Sequence, residues 1–225
     1  MYIKEWITER LILKPTQEED HDELAPMLLD DNVTKYLYEH LTKIPSIEFA
    51  KSFLSSALSS YAITFTIRIK DTNEAIGQIG YGGTPGVLDV FYWLGSKYQK
   101  KGYASEAAVE LSYEIFKKSN FNVFSISFYA NNMPSRKLAY KIGENLLNKN
   151  PEWIVIDKED KITECEIVDL SDKYVTIKMN VVGDMMCSSY LCCYKSAFPD
   201  EYLSVGTKYT EKLRYFDIAK NENQN

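Results

Sequence analysis

Histidine is nearly absent from this chain, with only His21 and His40 among 225 residues. Cysteine is scarce and late: Cys165, Cys187, Cys192 and Cys193 fall in the last third, without a Cys-x-x-Cys pair. Structural zinc needs four sulfur or imidazole ligands at short paired spacings. Cys187-x4-Cys192-Cys193 is at most half of such a set, so no metal is expected and the thiols read as buried or incidental. Long apolar runs are missing too. Nothing approaches the roughly 18 consecutive apolar residues of a membrane span, and the charged start Met1-Tyr2-Ile3-Lys4-Glu5-Trp6 is not a secretory signal. Reduced thiols in a cytoplasmic setting are the expectation. Positive charge is in deficit: 26 Lys and Arg against 32 Asp and Glu leave a net charge of -6. That field disfavours nucleic acid and mildly favours amine-bearing partners. Neither the Walker A pattern nor Gly-x-Gly-x-x-Gly occurs, which removes two common nucleotide signatures.

What is present is periodicity with clear punctuation. Thr8-Glu9-Arg10-Leu11-Ile12-Leu13-Lys14-Pro15 sets Leu11 and Leu13 on one face of a short strand that Pro15 ends. The acidic stretch 18–31 opens as a helix N-terminus prefers, with Leu24, Met27 and Leu28 at helical spacing. Pro26 fits there only in a first turn or at a kink. Pro45 and Ser46 start a second helix, over about 46–59, with Phe49, Phe53, Leu54 and Leu58 on one side. Strand-like runs at 61–69, 74–83 and 86–95 follow. Turns at Asp71-Thr72-Asn73 and Thr84-Pro85-Gly86 predict an antiparallel meander. Ala104, Ala107, Ala108, Leu111 and Ile115 mark a helix, and 123–130 a strand. Asn131, Asn132 and Pro134 then open a short helix that Gly143 is expected to close. Three further strand-like runs lead to about 183. There is no internal repeat or low-complexity linker. The expected organisation is one domain, 6–183, with an extension of unassigned role, 184–225.

The segment Gln99-Lys100-Lys101-Gly102-Tyr103-Ala104 links a strand to a helix. A helix N-terminus leaves about four N–H groups unpaired and carries partial positive charge. A phosphate satisfies both if the backbone can come close, which Gly102 and Ala104 permit and Lys100 and Lys101 assist. A solvated glycine turn with two exposed lysines is the other reading of the same letters.

This segment resembles the Gln/Arg-x-x-Gly-x-Gly/Ala motif of the GNAT N-acetyltransferases. Thr8 to Pro15, Tyr92-Trp93-Leu94-Gly95 with the loop after it, and Asn131-Asn132-Met133-Pro134-Ser135 through Gly143 resemble the ribosomal-protein N-terminal acetyltransferase branch, RimJ/RimL-like. The likeness covers about 6–143. It implies an α+β fold, a mixed and mostly antiparallel sheet flanked by helices, splayed open beside the strand that ends at Leu94. Acetyl-CoA would lie in the opening, its pyrophosphate on Gln99, Lys100, Lys101, Gly102, Tyr103 and Ala104. A bulge would leave backbone groups near Trp93, Leu94 and Gly95 free to pair with pantetheine and to polarise the thioester. The acceptor would be a protein N-terminus or a small amine, and the assembly allows a homodimer.

The implied reaction is direct attack of a neutral amine on the thioester. An α-amine titrates near 8 and lysine near 10.4, so neutral lysine is on the order of a hundredfold scarcer at pH 7. Many GNAT enzymes carry a Tyr acid on the helix after the Asn; here Ala139 stands at that position and Tyr140 is one residue late. Five residues of helix turn Tyr140 about 140° from Ser135, towards Arg136 and Lys137. Ser135 shares a side with Leu138, Ala139 and Ile142. It reads either as a hydrogen-bond donor near the CoA sulfur or as a helix-start cap. Asn132 reads as a cofactor contact or a cap. Glu39 and His40 border the acceptor cleft by resemblance, with His40 a candidate base or merely solvated. Glu144 stands where the family usually has Phe. These departures support a second reading, a CoA-binding sensor or interaction module with little transfer.

Overall fold

The computed structural model describes residues 5–37, 44, 46–60, 63–84, 86–129, 132–172, 174–181, 188–194 and 203–220. Glu39, His40, Pro45, Pro85, Asn131 and Cys187 lie outside them.

Leu11 and Leu13, both fully buried, alternate with partly exposed neighbours along β2 (Leu11–Pro15), which pairs with the short β1 (Trp6–Ile7). The meander follows as β3 (Ile63–Ile69), β4 (Ala75–Thr84) and β5 (Val87–Leu94), antiparallel throughout. The acidic stretch forms broken turns rather than one helix. It runs through α1 (His21–Leu24), a 3-10 turn at Ala25–Leu29 with Pro26 in its first turn, and α2 (Asp31–Thr34). α3 (Ile47–Ser60) comes within a residue of expectation, and α4 (Tyr103–Lys118) contains the five residues that marked it.

β6 (Val123–Tyr129) is parallel to β5, and all the other pairs among the described residues are antiparallel. α5 (Met133–Lys149) follows and does not stop at Gly143. Ile142 and Leu146 are fully buried and carry the apolar stripe onward, and packing outweighs the roughly 1 kcal/mol that a mid-helix glycine costs.

The remaining strands are β7 (Ile154–Leu170), β8 (Tyr174–Val181), β9 (Ser188–Tyr194) and β10 (Lys208–Ala219). The sheet order is β1-β2-β3-β4-β5-β6-β10-β7-β8-β9. Thus the region expected as an appended extension supplies an interior strand: β10 runs beside β6 from Leu213↔Tyr129 to Ala219↔Val123, and pairs with β7 on its other edge.

Two apolar layers cover the sheet. Leu88, Val90 and Leu94 of β5, Phe124, Ile126 and Phe128 of β6, and Ile218 of β10 pack with α4 and α5. On the opposite face Trp93 and Phe91 pack with Leu24, Leu28, Phe49 and Leu54 of the α1–α3 layer. Arg68 joins that layer to β3 through Asp20 and Glu23. No described helix is long and apolar enough to cross a membrane.

Candidate active site

β5 and β6 pair only at Val87↔Val123, Leu88↔Phe124 and Asp89↔Ser125. Beyond Asp89 the strands part, β6 staying with β10 and β5 with β4. The β4/β5 register is unbroken from Gly77↔Leu94 to Thr84↔Val87. The opening therefore comes from divergence, without the expected bulge in that register. The Gly95 N–H donates to the Ile76 carbonyl at 2.9 Å, which fixes the alternation of β5. Groups of Trp93 and Gly95 turn towards β4, and those of Val90, Tyr92 and Leu94 turn into the fork. Of the three residues expected to offer backbone partners, Leu94 alone faces the opening. Val90 and Tyr92 share that orientation, which counting the alternation back from the strand's end would have shown. Gly95 has another reason to be glycine: a Cβ there would sit 2.8 Å from Sδ of Met27.

The loop beyond β5 is shaped by its backbone. Lys100 has φ of 60° although it is not glycine, and Gly102, which caps α4, has φ of 84°. A left-handed lysine costs on the order of 1 kcal/mol. Gly102 has no side chain with which to cap the helix, so the first N–H groups of α4 remain available. Inside that first turn the Ser105 hydroxyl is buried without a partner. Lys100 and Lys101 are exposed. Gln99 faces inward: its amide donates to the Leu94 carbonyl at 3.0 Å, tying loop to strand.

The front motif braces this loop. Thr8 and the Arg10 backbone and guanidinium donate to Glu106 of α4 at 2.6 to 2.8 Å. Burial alone would raise the Glu106 carboxyl, but these bonds outweigh it and hold it below its ordinary value. Arg10 also donates to the Lys101 carbonyl at 3.1 Å and lies 4.6 Å from the centre of the Tyr103 ring. Two sequence motifs far apart thus meet at one helix start.

Across the fork, the Asn132 side chain accepts from the Ser135 N–H at 3.2 Å, capping α5. Its capping reading accounts for that oxygen. The Ser135 hydroxyl stands 3.1 Å from the hydroxyl of Tyr92, on the α4/α5 side of the opening. Burial pushes the Tyr92 phenol up to about 12 despite the bond to Ser135, so it stays neutral. Ala139 is fully buried, and Tyr140 is exposed with its ring 5.7 Å from Arg136. On the other face, Tyr36 after α2 meets Tyr129 at the end of β6, with ring centres 6.3 Å apart. Among the described residues no group of His, Cys, Asp and Glu is arranged to hold a metal.

An uncapped helix start behind a left-handed glycine, a buried orphan hydroxyl and an unpaired strand edge leading into a fork suit a phosphate-bearing acyl carrier. The fold around them is the GNAT acetyltransferase fold. The model of the acetyltransferase (GNAT) domain matches residues 10–145, more than half of the chain, and the chain belongs to that family. It is 33% identical over 159 residues to the uncharacterized N-acetyltransferase p20 of Bacillus licheniformis, covering 68% of this chain and 85% of that protein. A GNAT acetyltransferase of Bacillus anthracis superposes with a TM-score of 0.60 at 18% identity, covering 96% and 98% of the two chains. RimL, the ribosomal L7/L12 α-N-protein acetyltransferase solved with coenzyme A, does so with 0.56 at 13%, covering 96% and 97%. The protein is an acetyl-CoA-dependent N-acetyltransferase.

Proposed function

We propose that the chain acetylates a protein N-terminal α-amine, or a small amine of similar basicity, with acetyl-CoA bound in the fork between β5 and β6. The observation that carries this is the parting of the two strands after Asp89, with the Tyr92–Ser135 hydroxyl pair at its side. The pyrophosphate sits on the N–H groups behind Gly102, including that of Tyr103, with Ala104 keeping the first turn slim and Lys100 and Lys101 assisting from the rim. Gln99, Thr8, Arg10 and Glu106 hold the loop in shape. The pantetheine arm pairs with the inward-facing backbone of Val90, Tyr92 and Leu94.

Acetyl-CoA supplies the acetyl group as a thioester, whose carbonyl carbon takes the amine. Ser135 donates a hydrogen bond to the sulfur. A serine hydroxyl is far less acidic than a thiol near 8.5, so Ser135 steadies the leaving thiolate without giving up its proton. Tyr92 donates to Ser135 and leaves the serine hydrogen pointing at the sulfur. Asn132 sets the helix start from which Ser135 projects.

The α-amine is favoured over lysine by its larger neutral fraction, and RimL acts on a protein α-amine. We assign the transferase unit to 6–219, because β10 completes the sheet beside β6. Release of CoA thiol is measured with Ser-Ala-Ala-Lys amide, its Nα-blocked form and spermidine. Turnover with the free α-amine alone supports the reading. Equal turnover with the blocked peptide moves the acceptor to lysine.

A further inference from the structure

Asp89, Ser125 and Asp217 occupy one row across β5, β6 and β10. Asp89 and Ser125 form the last pair before the strands separate, so the row is the floor of the fork. Their neighbours Leu88, Val90, Phe124, Ile126 and Ile218 all pack with α4 and α5. Strand alternation therefore turns the three polar side chains to the opposite face, away from Tyr92 and Ser135. Ser125 and Asp217 are buried, and the Ser125 hydroxyl donates to Asp217 at 2.7 Å.

We propose that Asp89 is the base that takes the proton from the attacking amine, with Ser125 and Asp217 tuning it from beside and behind. The proposal rests on the fork being the acetyl-CoA site. The cradle at Gly102 lies beyond the C-terminal end of β5, so the carrier arm enters there and runs back towards the floor. Tyr92 and Asp89 are three residues apart, about 10 Å along a strand. A sulfur beside Ser135 leaves the acyl carbon and the attacking nitrogen in the space between the two rows. The hydroxyl pair and the carboxyl pair then serve opposite faces, one the leaving group and the other the incoming amine. As the nitrogen–carbon bond forms, the carbon–sulfur bond breaks and CoA departs as thiolate. The proton shed by nitrogen passes to a carboxylate oxygen of Asp89.

The surroundings suit this role. Burial first, and then the like charge of Asp217, lift Asp89 to about 6. A carboxylate so placed is ionised at neutral pH yet more basic than an ordinary one. Facing it, β4 contributes Gly82, which brings no charge. Among the described residues the charge acting on Asp89 is that of Asp217.

The test is the pH profile of kcat/KM on the full chain, from about pH 5 to 9, for Ser-Ala-Ala-Lys amide. Acetyl-CoA hydrolysis, where water replaces the amine, is the acceptor-free reporter. With the peptide the α-amine adds its own limb at about 8; in hydrolysis, which is free of it, the wild type should lose activity on the acid side with an apparent pKa near 6. Asp217→Asn should move that limb down by about one unit, since a like charge is gone. Asp89→Asn should abolish the limb and lower kcat at pH 7 by about 10²-fold or more, with Asp89→Glu restoring part of it. CoA affinity by calorimetry should hold in all three variants. An acid limb unmoved by both asparagine variants overturns the assignment, and Asp217→Asn decides alone should Asp89→Asn fail to fold. Loss of CoA binding by the wild type would instead overturn the fork as the cofactor site.

Discussion

Replacing Gly102 separates the stability of the loop from its affinity for the cofactor. With φ at 84°, a residue carrying a Cβ is less stable there by about 1–2 kcal/mol, and Asn by less. The added Cβ would come no nearer than 3.4 Å to anything, the closest atom being Arg10 Nη2. No clash adds to the strain. At about 2–4 °C per kcal/mol for a chain of this size, Gly102→Ala should lower the melting temperature by about 2–8 °C. Binding responds differently, because the N–H groups behind Gly102 must lie close to the pyrophosphate. A carboxylate about 5 Å from a bound phosphate repels it by about 3 kcal/mol per charge at an effective dielectric near 20. That weakens binding roughly 100-fold. Gly102→Glu should therefore stay folded, melt near the alanine variant and bind CoA about two orders of magnitude more weakly. Calorimetry with CoA and a thermal scan read the two quantities separately. A folded Gly102→Glu variant binding CoA within about threefold of wild type would refute the cradle.

Other perturbations follow from the same geometry. Asp89 ionises near 6 when folded and near its ordinary 3.8 when unfolded, so the native state keeps its proton longer. Stability then falls as pH rises through about 4 to 6 and stays lower above. Asp89→Asn should remove that loss, gaining on the order of 2–3 kcal/mol at pH 7 in urea unfolding and flattening the profile below. Ser135→Ala and Tyr92→Phe should each lower kcat about tenfold, one hydrogen bond's worth, and the double variant should be no slower than either. Additive losses would show that the two hydroxyls act independently. Arg68→Met would leave the Asp20 carboxylate, 13% exposed, with only the Gln17 N–H and the Thr66 hydroxyl as donors among the described residues. Unfolding free energy should drop by about 1.5–3 kcal/mol, the range for a hydrogen bond to a charged group. Tyr140→Phe should change turnover little, and a large loss would place that phenol in the reaction.

Local signals served the sequence well where structure is local. The strand at Leu11, the helices α3 and α4 and the inward phase of Ser135 follow from period and punctuation, and packing agrees with them. The motif loop was legible, but the lysines drew attention that belongs to the backbone: Lys100 and Gly102 shape the turn, and Gln99 ties it down. Distance along the chain hid the rest. The pairing of β10 with β6 joins residues near 219 to residues near 123, and no window of sequence contains both. Its letters, Lys-Tyr-Thr-Glu-Lys-Leu-Arg, carry charges that blur alternation. Asp217 accordingly fell in the extension of unassigned role, and Asp89 in a strand-like run that gave it no part. Only the strand order brings them to one row. The run of α5 past Gly143 was missed because a glycine stop signal is worth about 1 kcal/mol, less than burying Leu146 returns.

The central claim is that acetyl-CoA lies in the fork along β5. Amide hydrogen exchange with and without saturating acetyl-CoA tests it most directly. The N–H groups of Val90, Tyr92 and Leu94 and those of the first turn of α4 should exchange more slowly in the complex, while those of β8 should not change. Binding without protection at these positions would contradict the account.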